Sequence, residues 1–194
     1  MANNATLTGK TGSIQRTGST ALKHRALCLV AVAAFTAGTA SAQPSPTPAL
    51  DIVPDKLAFD IPYGAPIALD RAQAVIAAAM AETKKRDWKM AVSVMDSGGN
   101  LVAFARMDGA QLSSIAISEH KARAAVMSRR ETKIYENAIQ GGLTYQLTLD
   151  GVMASRGGVP LVEDGKLIGA VGCSGGAGSQ DEVCAKAGAA LLSK

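Results

Sequence analysis

The rhythm of apolar and polar positions changes several times along the chain. From residue 69 onward Ala72, Val75, Ile76, Ala79 and Met80 recur at three- and four-residue steps, and a polar run from Glu82 to Arg86 follows. That period predicts an amphipathic helix with one buried stripe. Asp70 stands where a cap would, and Gln73 three residues later resembles the second half of a capping box. The rhythm then shortens. Met-Ala-Val-Ser-Val-Met-Asp at 90–96 and Leu-Val-Ala-Phe-Ala-Arg-Met at 101–107 flank Ser97, Gly98, Gly99 and Asn100, which reads as a β-hairpin. A second helix is expected over about 113–130, capped by Ser113 or Ser114. Residues 131–156 mix short helical and polar pieces around Gly141 and Gly142. A second hairpin covers 159–173, with Asp164-Gly165 as its two-residue turn. A last helix is expected over 180–192, with Ser179 as cap, Glu182 as its capping-box partner and Asp181 in the positive first turn.

Ahead of the first helix, the large apolar residues Leu57, Phe59, Ile61 and Tyr63 fall at every second position, as in an edge strand. The order helix, hairpin, helices, hairpin, helix predicts an α+β domain. Its antiparallel sheet is built from the two hairpins, with helices packed on one face or end.

The N-terminal region follows different rules. Lys23-His24-Arg25 precedes an apolar stretch from Ala26 to Phe35, and Ala40-Ser41-Ala42 ends the small residues that follow. A cationic start, a ten-residue apolar core and an A-x-A site compose a secretory signal peptide over 1–42. The apolar stretch is too short to span a bilayer comfortably. The mature protein is expected in the periplasm or secreted, without stable membrane insertion. Residues 43–66 hold six of the seven prolines and read as an extended arm, leaving 67–194 as the folded domain. Export would place Cys173 and Cys184 in an oxidising compartment, where they either pair as a disulfide or stay as two small buried apolar residues.

Charge narrows the possible partners. The chain carries 20 Lys and Arg against 16 Asp and Glu. The whole excess of four lies in the first 42 residues, at Lys10, Arg16, Lys23 and Arg25, and the remainder is neutral. A balanced body without a basic stripe argues against nucleic acid as a partner and leaves small molecules. Metal-site and hydrolase chemistry find little material. One His and two Cys after residue 42 fall short of a structural zinc site. No acidic pair has the i, i+3 spacing of a helix-borne carboxylate iron site, and no G-x-S-x-G occurs.

A group of motifs carries a family likeness. Gly157-Gly158-Val159-Pro160-Leu161 leads into Asp164-Gly165-Lys166-Leu167-Ile168-Gly169-Ala170-Val171-Gly172, then Ser174-Gly175 and Gln180-Asp181-Glu182. Upstream stand Asp96-x-x-Gly-Asn-Leu-Val and Lys121-Ala122-x-Ala124. In this order the motifs resemble the GlcG/HbpS family of haem-binding or haem-degrading proteins (DUF336-like) across roughly residues 67–193. The resemblance implies a profilin-like fold, assembly into a homo-oligomer and a ligand pocket near the helix of Lys121. It makes Gly157, Gly158, Pro160 and Lys121 candidate ligand-binding residues. Members also occur beside genes for glycolate use and corrinoid metabolism, so the family fold serves more than one ligand.

Haem iron needs an axial imidazole, thiolate, thioether or phenolate. His120 is the only histidine after the signal, with alanines at i±4 and Met127 at i+7. It is a candidate haem and metal ligand, or else a packed or interface histidine. Lys121 and Arg123, with Arg106 at the end of the first hairpin, are candidates to meet ligand carboxylates, against the alternative of solvated charge or, for Lys121, a buried pair. Gly175, Gly176 and Ser179 run into a helix N-terminus and are candidates for anion capture. The first expectation is an exported haem or tetrapyrrole binder that assists haem degradation or iron handling. The rivals are a binder for a small hydroxy acid, a role in corrinoid metabolism, and a ligand-free assembly protein.

Overall fold

A computed structural model describes residues 53–192, so the expected signal peptide and the first part of the proline-rich arm lie outside the described residues. The elements are α1 (Leu69–Lys84), β1 (Ala91–Asp96), β2 (Leu101–Arg106), α2 (Ser114–Ser128), α3 (Lys133–Gln140), a 3-10 turn (Thr144–Thr148), β3 (Gly158–Glu163), β4 (Lys166–Ser174) and α4 (Gly178–Ala189). Both hairpins form. They meet through β1 and β4, giving an antiparallel sheet of order β2-β1-β4-β3. Asp164 and Gly165 both take positive φ, 49° and 72°, as a type I′ turn demands. In the other turn the Asp96 carboxylate accepts the N–H groups of Gly98 at 2.8 Å and Asn100 at 2.9 Å.

Helices cover both faces of the sheet, not the single face or end expected from element order. The strands themselves give the reason: five consecutive residues of β1 and eight of β4 are buried. Strands buried on both sides read as continuous apolar runs, which demand two covering layers. On one face α1 and α4 pack with Val92, Val94, Val171 and Leu161 around Val75, Ile76, Ala79 and Ala185. On the other face Met95 and Ala170 meet Ala122, Ala125 and Val126 of α2. Cys173 of β4 and Cys184 of α4 are joined by a disulfide within the first layer.

The second face brings helix and sheet unusually close. A Cβ at Gly172 would overlap the Ser118 carbonyl oxygen and lie 2.6 Å from the Ala122 nitrogen. One at Gly158 would overlap the Lys121 carbonyl oxygen. Backbone thus rests on backbone, which fixes how α2 is rotated about its axis: Ser118, Lys121, Ala122 and Ala125 point inward, and His120, Arg123 and Met127 are left exposed.

Helix starts differ from expectation. Ala68, not Asp70, is the N-cap of α1, and Ser113 makes no capping bond at α2. The last helix begins at Gly178, so Ser179 lies inside its first turn. There Gln180 Oε1 accepts the Ala177 N–H at 2.8 Å, the role expected of Glu182. The alternating stretch before α1 makes a single β-bridge, Tyr63 to Leu167, in place of an edge strand. Its aromatics are used otherwise. The Tyr63 hydroxyl lies 3.1 Å and 3.0 Å from the carbonyl oxygens of Val126 and Met127 in the last turn of α2.

Candidate functional site

Two adjacent residues of α2, His120 and Lys121, face opposite ways. Lys121 is 1% exposed, and its Nζ lies 2.7 Å from Asp181 Oδ2. The other carboxylate oxygen of Asp181 accepts the Gly176 N–H at 3.1 Å. Burial pushes the Asp181 carboxyl above the usual aspartate value, against the pull of Lys121 and of the Gly176 and Gly175 N–H groups. The Gly-rich loop therefore holds the chain's own aspartate. That corrects two expectations: Lys121 is not free to meet a ligand carboxylate, and Gly175, Gly176 and Ser179 form no vacant anion cradle, since the first two N–H groups serve Asp181.

His120 and Arg123 line a cavity of about 560 Å³ on the outer face of α2. Ala124, Met127 and Ser128 continue the helical wall, and Tyr135 of α3 and residues 150–153 close the other side. The volume lies within the range of about 300–1,000 Å³ usual for small-molecule sites. One space thus gathers an imidazole, the thioethers of Met127 and Met153, a phenol and a guanidinium. Each neutral donor type is one that haem iron accepts.

The family model for haem degrading protein HbpS-like matches residues 67–190. This chain belongs to the HbpS-like family. The GlcG protein of Escherichia coli K12 is 46% identical over 103 residues, covering 53% of this chain and 77% of GlcG. The crystal structure of Klebsiella pneumoniae protein ORFY is similar with a TM-score of 0.63 and 31% identity, covering 71% of this chain and 98% of ORFY. The PduOC:heme complex is similar with a TM-score of 0.59 and 27% identity, covering 66% of this chain and 95% of PduOC.

The other candidates of this HbpS-like chain are scattered. Arg106 is exposed at the end of the edge strand β2, in a separate cavity with Lys84, Lys89 and Asp108, and bonds the Ala110 carbonyl at 3.4 Å. It cannot share a ligand with His120 there. Gly157, at φ 116°, would place a Cβ 2.7 Å from that of Asp181, and Gly158 lies beneath α2. Both glycines serve close packing, the reason for their residue type. Pro160 lines a different groove, beside β3.

Sequence reasoning missed Met153, Tyr135 and Asp150 because residues 131–156 have no sustained period to place them. Met127 was visible only as a neighbour of His120 two turns on. What fixes the Tyr135 wall is an ion network. Arg156 Nε meets Glu136 at 2.8 Å, while Glu182 takes Lys133 at 2.9 Å and Lys186 at 2.6 Å. Hydrogen bonding to Glu182 and Glu131 holds the Lys133 ammonium above its ordinary pKa. Among the described residues no group of three His, Cys, Asp or Glu side chains is placed to hold a metal ion, and no helix is long and apolar enough to cross a membrane.

Proposed function

We propose that this HbpS-like protein binds haem, or a related tetrapyrrole, in the cavity on the outer face of α2. The observation that carries this reading is the convergence of His120, Met127, Met153 and Tyr135 on one cavity with Arg123. His120 would supply the nitrogen donor to the iron, the thioethers of Met127 and Met153 would offer softer donors, and Arg123 would pair with a carboxylate of the macrocycle through charge-assisted hydrogen bonds. Bound haem supplies iron reactivity toward peroxide or oxygen, while the chain's own residues bind, orient and shield the macrocycle. The haem in the PduOC complex supports the ligand class.

The same reading includes export. It rests on the signal-like segment at 1–42 and on the buried Cys173–Cys184 disulfide, a bond that persists in oxidising compartments. Mass spectrometry of the exported chain should find a mature N-terminus near Gln43; retention of Met1 in the cytoplasmic fraction would contradict it.

Hemin titration tests the binding. The protein should give a saturable Soret shift at a fixed stoichiometry, and His120→Ala should move that band. A featureless, non-saturating response removes the proposal. A saturable response that is identical in His120→Ala removes the ligand assignment.

A further inference from the structure

A second cavity, of about 610 Å³, runs beside β3 between the arm, the end of α2 and the end of α4. Its lining holds no His, Cys, Met or Tyr, so it offers none of the usual axial donors to haem iron. Its apolar walls are mainly aliphatic, with Ile61, Ile134, Val159, Pro160 and Val162 beside the Phe59 ring. Its cations fall into two groups. Lys133 and Lys186 are neutralised, since Glu131 Oε2 lies 3.2 Å and 3.6 Å from their ammonium groups and both also bind Glu182. Among the described residues Arg129 and Arg130 have no carboxylate partner: one bonds the Ile61 carbonyl at 3.2 Å and the other the Ser128 carbonyl at 3.1 Å.

Both arginines are nevertheless held in place. The Arg130 guanidinium lies 3.5 Å from the centre of the Phe59 ring and 5.5 Å from that of Tyr135, and the Arg129 guanidinium lies 5.8 Å from the centre of Tyr63. Stacking on aromatic faces orients a guanidinium without consuming its in-plane N–H groups. A largely apolar trough, whose one lining carboxylate, Glu131, is taken up by Lys133 and Lys186, and which ends at two preorganised, half-buried arginines with no carboxylate partner among the described residues, is complementary to one kind of molecule.

We propose that this groove is a second, iron-free ligand site that takes an aliphatic carboxylate, with its chain along the trough and its carboxylate against Arg129 and Arg130. The proposal stands apart from haem binding, since the two cavities lie on either side of the last turn of α2. It makes the end of α2 a shared wall, with Tyr135 facing the first cavity and Arg130, stacked on that ring, facing the second.

Calorimetric titration of the full chain with decanoate, below its micellar concentration, tests it. Decanol and acetate serve as controls for the charge and the chain. Decanoate should bind saturably at one site, and each control should bind at least about tenfold more weakly, the scale of a charge-assisted hydrogen bond. Arg129→Gln/Arg130→Gln should weaken decanoate by about tenfold or more. Ala190→Trp, which fills the groove from an exposed rim position, should abolish binding while leaving the melting curve unchanged. His120→Ala should bind decanoate like the parent, and hemin should not displace it. Absence of saturable binding, equal affinity for decanol, indifference to Ala190→Trp, or stoichiometric displacement by hemin would each overturn the proposal. None of the first three results bears on the haem reading.

Discussion

The inner face of α2 carries Ser118, Lys121, Ala122 and Ala125, and the outer face carries His120, Arg123 and Met127. On the inner face every polar group is already answered. Ser118 Oγ lies 2.7 Å from Ser93 Oγ, Lys121 is paired with Asp181, and the helix backbone rests on Gly158 and Gly172. On the outer face neither His120 nor Arg123 has a hydrogen-bond or ion-pair partner among the described residues, and Met127 is 62% exposed. The face that looks most chemical by composition, with a lysine at a family motif position, is therefore structural. The face with chemistry to spare is the one that packing left alone. A buried ion pair gains little net stability, but removing one partner is costly. A solvent-facing imidazole can be removed almost freely.

The contrast can be broken most forcefully at the glycines. Gly172→Val drives a side chain into the backbone of α2, with backbone on both sides and nothing able to yield. The expected result is loss of the cooperative unfolding transition, followed by circular dichroism in urea. A cooperative transition near the parent midpoint would show that the helix does not rest on the sheet as described.

Lys121→Met comes next. It leaves the Asp181 carboxylate buried without its cation and should cost about 3–5 kcal/mol in chemical denaturation. Lys121→Met/Asp181→Leu should recover most of that loss, apart from about 1 kcal/mol for the abandoned Gly176 N–H. A double variant no better than the single one would mean that the pair is not what buries Lys121.

A smaller effect is expected in acid. Burial raises the Glu182 carboxyl, but its hydrogen bonds with Lys186 and Lys133 more than offset that, so the folded-state value is lowered. A lowered carboxylate contributes stability above its unfolded value of about 4.3 and loses it as pH falls through the folded value. The stability gap between the parent and Glu182→Gln should therefore be largest near neutrality and should close in acid. A gap that widens in acid would contradict the sign.

The least stability change belongs to His120→Ala, at about 0.5 kcal/mol or less, although it should alter the hemin spectrum most. That inversion between stability and ligand response is the sharpest form of the two-face comparison.

The hairpins and the three long helices were legible because each depends on local signals. Asp164-Gly165 demands one turn type, and the Ala72-Val75-Ile76-Ala79 stripe demands one helical face. The covering of both sheet faces was legible in principle, since the runs in β1 and β4 do not alternate. Element order alone suggests a one-sided sheet, and short apolar runs do not overrule it because they are ambiguous in period. The capping residues misled for a physical reason. Ser113 does stand at the N-cap of α2, but its backbone is already helical and its hydroxyl makes no capping bond, whereas Ser179 falls one residue past the start of α4, since packing sets where the chain turns in. At the site, His120 and Arg123 were legible as neighbours on one helix. Lys121 could not be separated from them without knowing that Asp181, 60 residues away, lies opposite it. Met153 and Tyr135 reach the cavity only through the connections of residues 131–156, which no periodicity describes.

Diffraction from a crystal soaked with hemin, recorded at the iron absorption edge, tests the central claim most directly. The account predicts one strong anomalous peak within bonding distance of a His120 ring nitrogen, on the outer face of α2. A peak beside β3, at Arg106, or in no fixed place would contradict it.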